Sequence, residues 1–256
     1  MKTINKKTNY IILALVVVIL VTTSSFKNYS VNSKKQTSFI LQKVSYNKNV
    51  RLPAISLLKK VTDIDGNKYN TVKIGSQVWL VENLKVTHYN NGDEIPNVQD
   101  TAKWNNLTSG AYCNYDNKIS NSDIYGHLYN WYAVNDKRKI CPDGWHIPTD
   151  AEWQKLIDNL GGEIKAGGKL KLQGTELWTS FNVGATNKSG FTALPGGSRI
   201  NRGIYSANKN ASNWWSATEY GNESAWSRFL YYYDEGAYRS YSSKRNGLSI
   251  RCIKDK

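Results

Sequence analysis

The first 60 residues contain 11 Lys and Arg and no acidic residue, while all 20 Asp and Glu lie in the rest of the 256-residue chain. Residues 61–256 hold 23 basic and 20 acidic side chains, so most of the net charge of +14 sits at the N-terminal end. A nucleic-acid binder concentrates positive charge on the domain that touches phosphates. A nearly balanced domain behind a basic leader argues against that class, and no nucleic-acid partner is expected.

Within the leader, Lys2, Lys6 and Lys7 precede an uninterrupted apolar run, Ile11–Val21, and small polar residues follow at Thr22–Ser25. A charged start, an apolar centre and a small-residue exit are the parts of a secretory signal peptide. The run has 11 residues, whereas a spanning helix needs about 20. Residues 1–25 are therefore expected to be a signal peptide, with an uncleaved signal anchor as the alternative. Only an anchor would give the chain a membrane partner. The first Cys of the chain is Cys113, so the apolar run is followed by no Cys that could be acylated.

Residues 26–60 are rich in Ser, Asn and Lys and lack a sustained period. They are expected to form a polar stalk, with an added strand near 49–58. From Val61 the character changes. Asp65-Gly66-Asn67 and Gly75-Ser76 each fall between short β-branched and aromatic runs, which predicts two successive hairpins. Thr149 and Glu152 stand as a capping box. Trp153, Leu156, Ile157 and Leu160 then give one apolar face, and Gly161-Gly162 supplies the stop, so a helix is expected over 150–160. Residues 125–134 read as either helix or strand, and strand is preferred for 128–134 from their aromatic content. Trp226–Tyr233 and Ala237–Ser243 flank Asp234-Glu235-Gly236 as an aromatic hairpin. Leu248–Ile253 alternates as a core strand should.

Several phrases occur together and in order. They are Asp63-Ile-Asp-Gly-Asn-Lys-Tyr69, Ile74-Gly-Ser-Gln-Val-Trp79, Tyr125-Gly-His-Leu-Tyr-Asn-Trp131, Cys141-Pro-Asp-Gly-Trp-His-Ile-Pro-Thr149, Trp215-Ser-Ala-Thr-Glu219 and Ser249-Ile-Arg-Cys252. In this order the chain, over roughly 61–255, resembles the Fibrobacter succinogenes major paralogous domain. That resemblance implies a secreted or surface protein with an α+β, loop-rich fold similar to the C-type-lectin-like and sulfatase-modifying-factor group. It implies no established activity. Members of the family often carry lipoprotein leaders, and this chain departs from them in lacking the Cys.

Export permits disulfides. With the lectin-like resemblance, it points to a Cys141–Cys252 bridge and leaves Cys113 as an odd, buried thiol. Three buried free thiols are the alternative. Asp63, Asp65 and Asn67 stand where a calcium loop begins, but Lys68 and Ile74 fall where that loop needs Gly and Glu. A turn explains them without an ion. His88, His127 and His146 fit no zinc spacing. No metal, cofactor or catalytic residue is expected. Asp234-Glu235 reads as solvated turn charge, and Glu219 with Glu223 beside Trp214-Trp215 would make a glycosidase-like pair only at the right carboxylate separation, which sequence does not supply.

What remains is the aromatic C-terminal third. Trp214, Trp215, Tyr231, Tyr233 and Arg199 are the candidate ligand contacts, since Trp, Tyr and Arg dominate binding hot spots. Packing of the Trp side chains into the core is the competing account. The expectation is an exported, non-enzymatic binding protein whose partner is a surface glycan or another protein. The alternatives are a structural component of a cell-envelope assembly and, more remotely, a hydrolase or modifying enzyme.

Overall fold

The computed structural model describes residues 58–256. The apolar run at 11–21 and most of the stalk lie outside them, as does the strand expected near 49–58 apart from Leu58. In chain order the first elements are β1 (Leu58–Thr62), β2 (Lys68–Ile74), β3 (Gln77–Leu80), α1 (Thr101–Asn105) and β4 (Tyr112–Cys113). Next come α2 (Ile119–Tyr125), β5 (Leu128–Tyr129), α3 (Trp131–Val134), β6 (Trp145–His146), α4 (Asp150–Asn159) and α5 (Glu163–Leu170). The last are β7 (Ser198–Arg199), β8 (Tyr205–Ser206), β9 (Ala211–Glu219), β10 (Ser224–Tyr231), β11 (Tyr238–Ser243) and β12 (Ile253–Lys254). The fold is mixed α+β. A five-stranded sheet runs β1-β2-β3-β12-β6, and a three-stranded sheet runs β11-β10-β9.

Both expected hairpins form, β1–β2 around Asp65-Gly66-Asn67 and β2–β3 around Gly75-Ser76. Asp63 explains the first. Its Oδ1 accepts from the backbone N–H of Asp65 and Asn67, and its Oδ2 accepts from Asn67 Nδ2 and the Tyr69 hydroxyl. Those donors occupy both carboxylate oxygens in closing the turn.

Alternation along the strands feeds two cores. Leu80, Trp215 and Tyr69 pack into one, with Cys141, Ile250 and Cys252. Trp79, Trp214 and Val72 pack into the other, with Trp153, Leu156 and Ile157 of α4. Neighbours such as Trp79–Leu80 and Trp214–Trp215 therefore divide between the cores, as a side-chain period of two requires. Helix α4 has the expected capping box, Thr149 with Glu152.

Two elements depart from expectation. Residues 128–134 were expected to be one strand, but only Leu128–Tyr129 is strand and Trp131–Val134 is a single helical turn. Asn130 decides this, because its Oδ1 accepts from the N–H of both Ala133 and Ala111 and caps the turn. A side-chain cap in a buried site outweighs aromatic β propensity. The segment Leu248–Ile253 is buried at every residue and becomes regular strand only at Ile253. It lies between neighbours on both sides: Ser249 N–H donates to Asn213, Leu84 N–H to Ile250 and Leu80 N–H to Cys252. The alternation in its sequence separates those neighbours rather than core from solvent.

Long stretches without regular structure are tied by buried cations. Arg251 is fully buried and donates to the carbonyls of Leu80 and Phe191 and to Asn83 Oδ1. Lys171 Nζ donates to the carbonyls of Val183, Tyr231 and Asp234 at 2.8, 2.9 and 2.6 Å. Buried charge is tolerated only when hydrogen-bonded, and here carbonyl oxygens supply those bonds. The disulfide Cys141–Cys252 joins the segment before β6 to the end of the last one. Cys113 is free and buried.

Candidate ligand-binding surface

The five residues singled out by sequence do not converge. Trp214 and Trp215 are 1% and 0% exposed, in separate cores. Their indole N–H groups donate inward, to Asn83 Oδ1 and to the Tyr129 carbonyl. Arg199 is also fully buried. Its guanidinium donates to the carbonyls of Val98, Gln99 and Gly203 and lies 4.5 Å from the centre of the Trp104 ring. These three side chains have no surface to offer a ligand, because each is consumed in packing or in satisfying backbone carbonyls. Tyr231 and Tyr233 do meet, stacked at 4.9 Å, with Tyr233 exposed.

A different group forms a continuous row that is partly exposed. Trp226 of β10 stands directly opposite Tyr241 of β11, and Arg228 opposite Arg239. Directly opposed side chains share a face, so Trp226, Arg228, Arg239 and Tyr241 lie on one side of the hairpin. Tyr220, just after β9, stacks on Tyr241 at 4.4 Å and leans on Trp226 at 4.5 Å. The Arg239 guanidinium covers the Trp226 ring 3.3 Å from its centre. Tyr220 and Tyr241 are 43% and 56% exposed.

Asp150, the first residue of α4, anchors this row. Its carboxylate accepts from Arg239 Nε and Nη2 and from buried Arg228. Burial alone would raise the Asp150 pKa, but the hydrogen bonds from Arg239 and Arg228 hold it below the ordinary value. Beyond the pair lies a shallow open cleft of about 540 Å³ lined by Asp150, Ala151, Gln154, Lys155, Asp158 and Arg239. The sequence held one signal for this surface. Arg239 and Tyr241 are two apart in a strand, opposite Trp226, so alternation alone gathers them. The contribution of Asp150 required the packing of α4.

The carboxylates considered for chemistry are engaged elsewhere. Glu219 pairs with Lys244 at 2.8 Å, and Asp234 accepts from the Gly236 N–H and the Tyr238 hydroxyl. The histidines are far from one another in role. His88 contacts Asp65, His127 is buried against Tyr112, and His146 lies between Glu152 and Asp255. Burial, with Lys85 nearby, lowers the His127 pKa to about 4. Among the described residues, no group of three or more His, Cys, Asp or Glu is placed to hold a metal ion.

Neither a curated protein nor a solved structure matches the chain. The family model of the Fibrobacter succinogenes major domain matches residues 72–254, from within β2 to the end of β12. That span takes in both cores except Tyr69, together with the disulfide and the whole aromatic row, and the chain belongs to the Fibrobacter succinogenes major domain family.

Proposed function

We propose that the chain is an exported binding protein. Its ligand lies across the row formed by Tyr220, Tyr241, Trp226 and Arg239. The row itself carries the reading: exposed aromatic rings and a guanidinium are already locked against one another before any ligand arrives. Pre-ordered side chains lose little entropy on binding, and Tyr, Trp and Arg are the usual anchors. The adjoining cleft is open and polar-edged, whereas small cofactors are held in enclosed apolar pockets. An extended ligand fits that shape better: a surface glycan first, a protein partner second.

Export is supported by the composition of residues 1–25 and by the Cys141–Cys252 bridge, since disulfides persist in oxidising compartments. Binding is preferred to catalysis because Asp150, although it lines the cleft, is tied to Arg228 and Arg239, and Glu219 is tied to Lys244, which leaves neither carboxylate free as an acid or base. A structural role in a cell-envelope assembly is the second reading, favoured by the open edge of β11.

The test is a glycan array probed with the purified full chain and with Tyr220→Ala, Tyr241→Ala and Tyr233→Ala. The reading expects a glycan class whose signal falls about tenfold or more in the first two variants, on the scale of a binding hot spot. Tyr233→Ala should bind like the wild type. A silent array, or retention unaffected by Tyr220→Ala and Tyr241→Ala, would remove the glycan reading.

A further inference from the structure

We propose that β11 is a dimerisation edge. Two copies of this chain pair their Tyr238–Ser243 strands antiparallel, about a two-fold axis through Ser240.

A free strand edge is a template for another strand unless something blocks it. The other edges in these sheets are blocked. β1 carries Lys59 and Lys60 and a bulge, and β6 has only two residues. The outer side of β9 is bonded to the chain at Ser249. β11 is six residues long, with no Pro, no Lys and an unbroken register against β10. Its one charge, Arg239, is drawn back onto the Trp226 ring and Asp150.

The hydrogen-bond pattern shows which groups face outward. Lys244 N–H donates to the carbonyl of Glu223, which stands directly opposite it in the register that β10 and β11 continue. Bonded and non-bonded pairs alternate along an antiparallel ladder. The pairs Ala225–Ser242, Ser227–Ser240 and Phe229–Tyr238 are therefore the bonded ones. The N–H and C=O of Arg239 and Tyr241 then point away from β10, and among the described residues nothing meets them.

Two-fold symmetry leaves few registers. An axis at Arg239 would place two guanidinium groups directly opposite each other, which is destabilising. An axis at Tyr241 would need the Ser243 carbonyl, which already accepts from Asn246 N–H at 2.8 Å. With the axis at Ser240, Arg239 exchanges both backbone bonds with Tyr241 of the second copy, and symmetry repeats the pair. Antiparallel pairing about an axis normal to the sheet keeps like faces together. The two aromatic rows then join on one side into a single surface. Dimerisation does not depend on the ligand proposed above, and oligomeric state reports on it separately.

The experiment is sedimentation velocity on the full chain in mild detergent across the micromolar range. Wild type should dimerise. Ser240→Asp and Ser240→Lys each place like charges opposite each other at the axis, and should each raise the dissociation constant about fivefold or more. An equimolar mixture of the two should pair again, which a folding defect would not produce. Ser240→Cys should form a covalent dimer on oxidation, since the native Cys113 is buried. A monomeric wild type, or charge variants that associate as well as wild type, would overturn the proposal. So would amide exchange showing Tyr241 N–H protected in a monomer.

Discussion

Asp150 Oδ1 lies 2.7 Å from Nη1 of Arg228, while its other oxygen is 2.8 Å from Nη2 of Arg239. One carboxylate thus serves two different arginines. The Arg228 side chain is 2% exposed and that of Arg239 is 42% exposed. Asp150→Ala strands a buried guanidinium, and the expected loss of stability is about 3–5 kcal/mol. Arg239→Ala removes a solvent-screened pair and an exposed stack on Trp226, and should cost less, about 1–2 kcal/mol. Urea unfolding of both variants checks this; equal losses would mean that the buried partner does not carry the energy.

His146 contacts Asp255 through Nδ1 and Glu152 through Nε2. Partial burial lowers its pKa, but the hydrogen bonds its ring N–H groups donate to Asp255 and Glu152 outweigh that and raise it above 6.5. Burial raises the Glu152 pKa, and bonds from Thr149 and His146 more than reverse this, to below 4.5. A raised histidine pKa contributes stability that is full below pH 6.5 and is lost as pH climbs through the folded value. A lowered glutamate pKa contributes above pH 4.5 and is lost as pH falls through its folded value. The cluster should therefore help most between these limits, by less than about 1 kcal/mol given its exposure. The wild-type Tm should fall relative to His146→Gln between pH 6 and 9. Parallel profiles would show that the pair is energetically silent.

The Cys141–Cys252 bridge closes a loop with a sequence separation of 111. Reduction, or the double change to Ser, should cost about 2–5 kcal/mol, chiefly by freeing the unfolded chain. Cys113 should behave in the opposite way. Burial pushes its thiol up to about 11, so it carries little thiolate at neutral pH. Thiol titration of the native, unreduced protein should find almost no reactive group, and one after unfolding. A rapidly labelled native thiol would contradict the buried placement of Cys113 or the bridge.

Lys171 holds three carbonyls from two separate segments. Lys171→Met keeps the length of the side chain but leaves those oxygens without donors. It should destabilise by about 2–4 kcal/mol, and amide exchange near Val183 and Tyr231 should accelerate. A variant as stable as wild type would mean that water replaces the ammonium at no cost.

Much of the local structure was legible. The Thr149–Glu152 box and the Trp153, Leu156, Ile157 face fixed α4, because capping and a 3.6-residue period are local properties. The hairpin at Asp65-Gly66-Asn67 was equally local. Helix α5 carries no comparable local signal, because Gly167-Gly168 interrupts it with two poor helix formers. The structure needs both glycines, since a Cβ on Gly167 would collide with the carbonyl of Gly236. The site was less legible. Trp214, Trp215 and Arg199 have the composition of a hot spot, yet they face inward.

Residue type and spacing determined the hairpins and the principal helix; the motifs in order pointed to the family, and through that resemblance and the expected export came the α+β class and the preference for the Cys141–Cys252 pairing over three free thiols. All of these depend on neighbours in sequence or on motifs kept in order. Tertiary packing decided which aromatics meet solvent. Trp214 and Trp215 are buried in separate cores, whereas Tyr220, Trp226 and Tyr241 lie on a sheet face that the described residues leave partly uncovered. It also decided that Asp150, the first residue of α4, would reach the arginines of β10 and β11. Exposure is a property of what the rest of the chain leaves uncovered, and no local pattern encodes it.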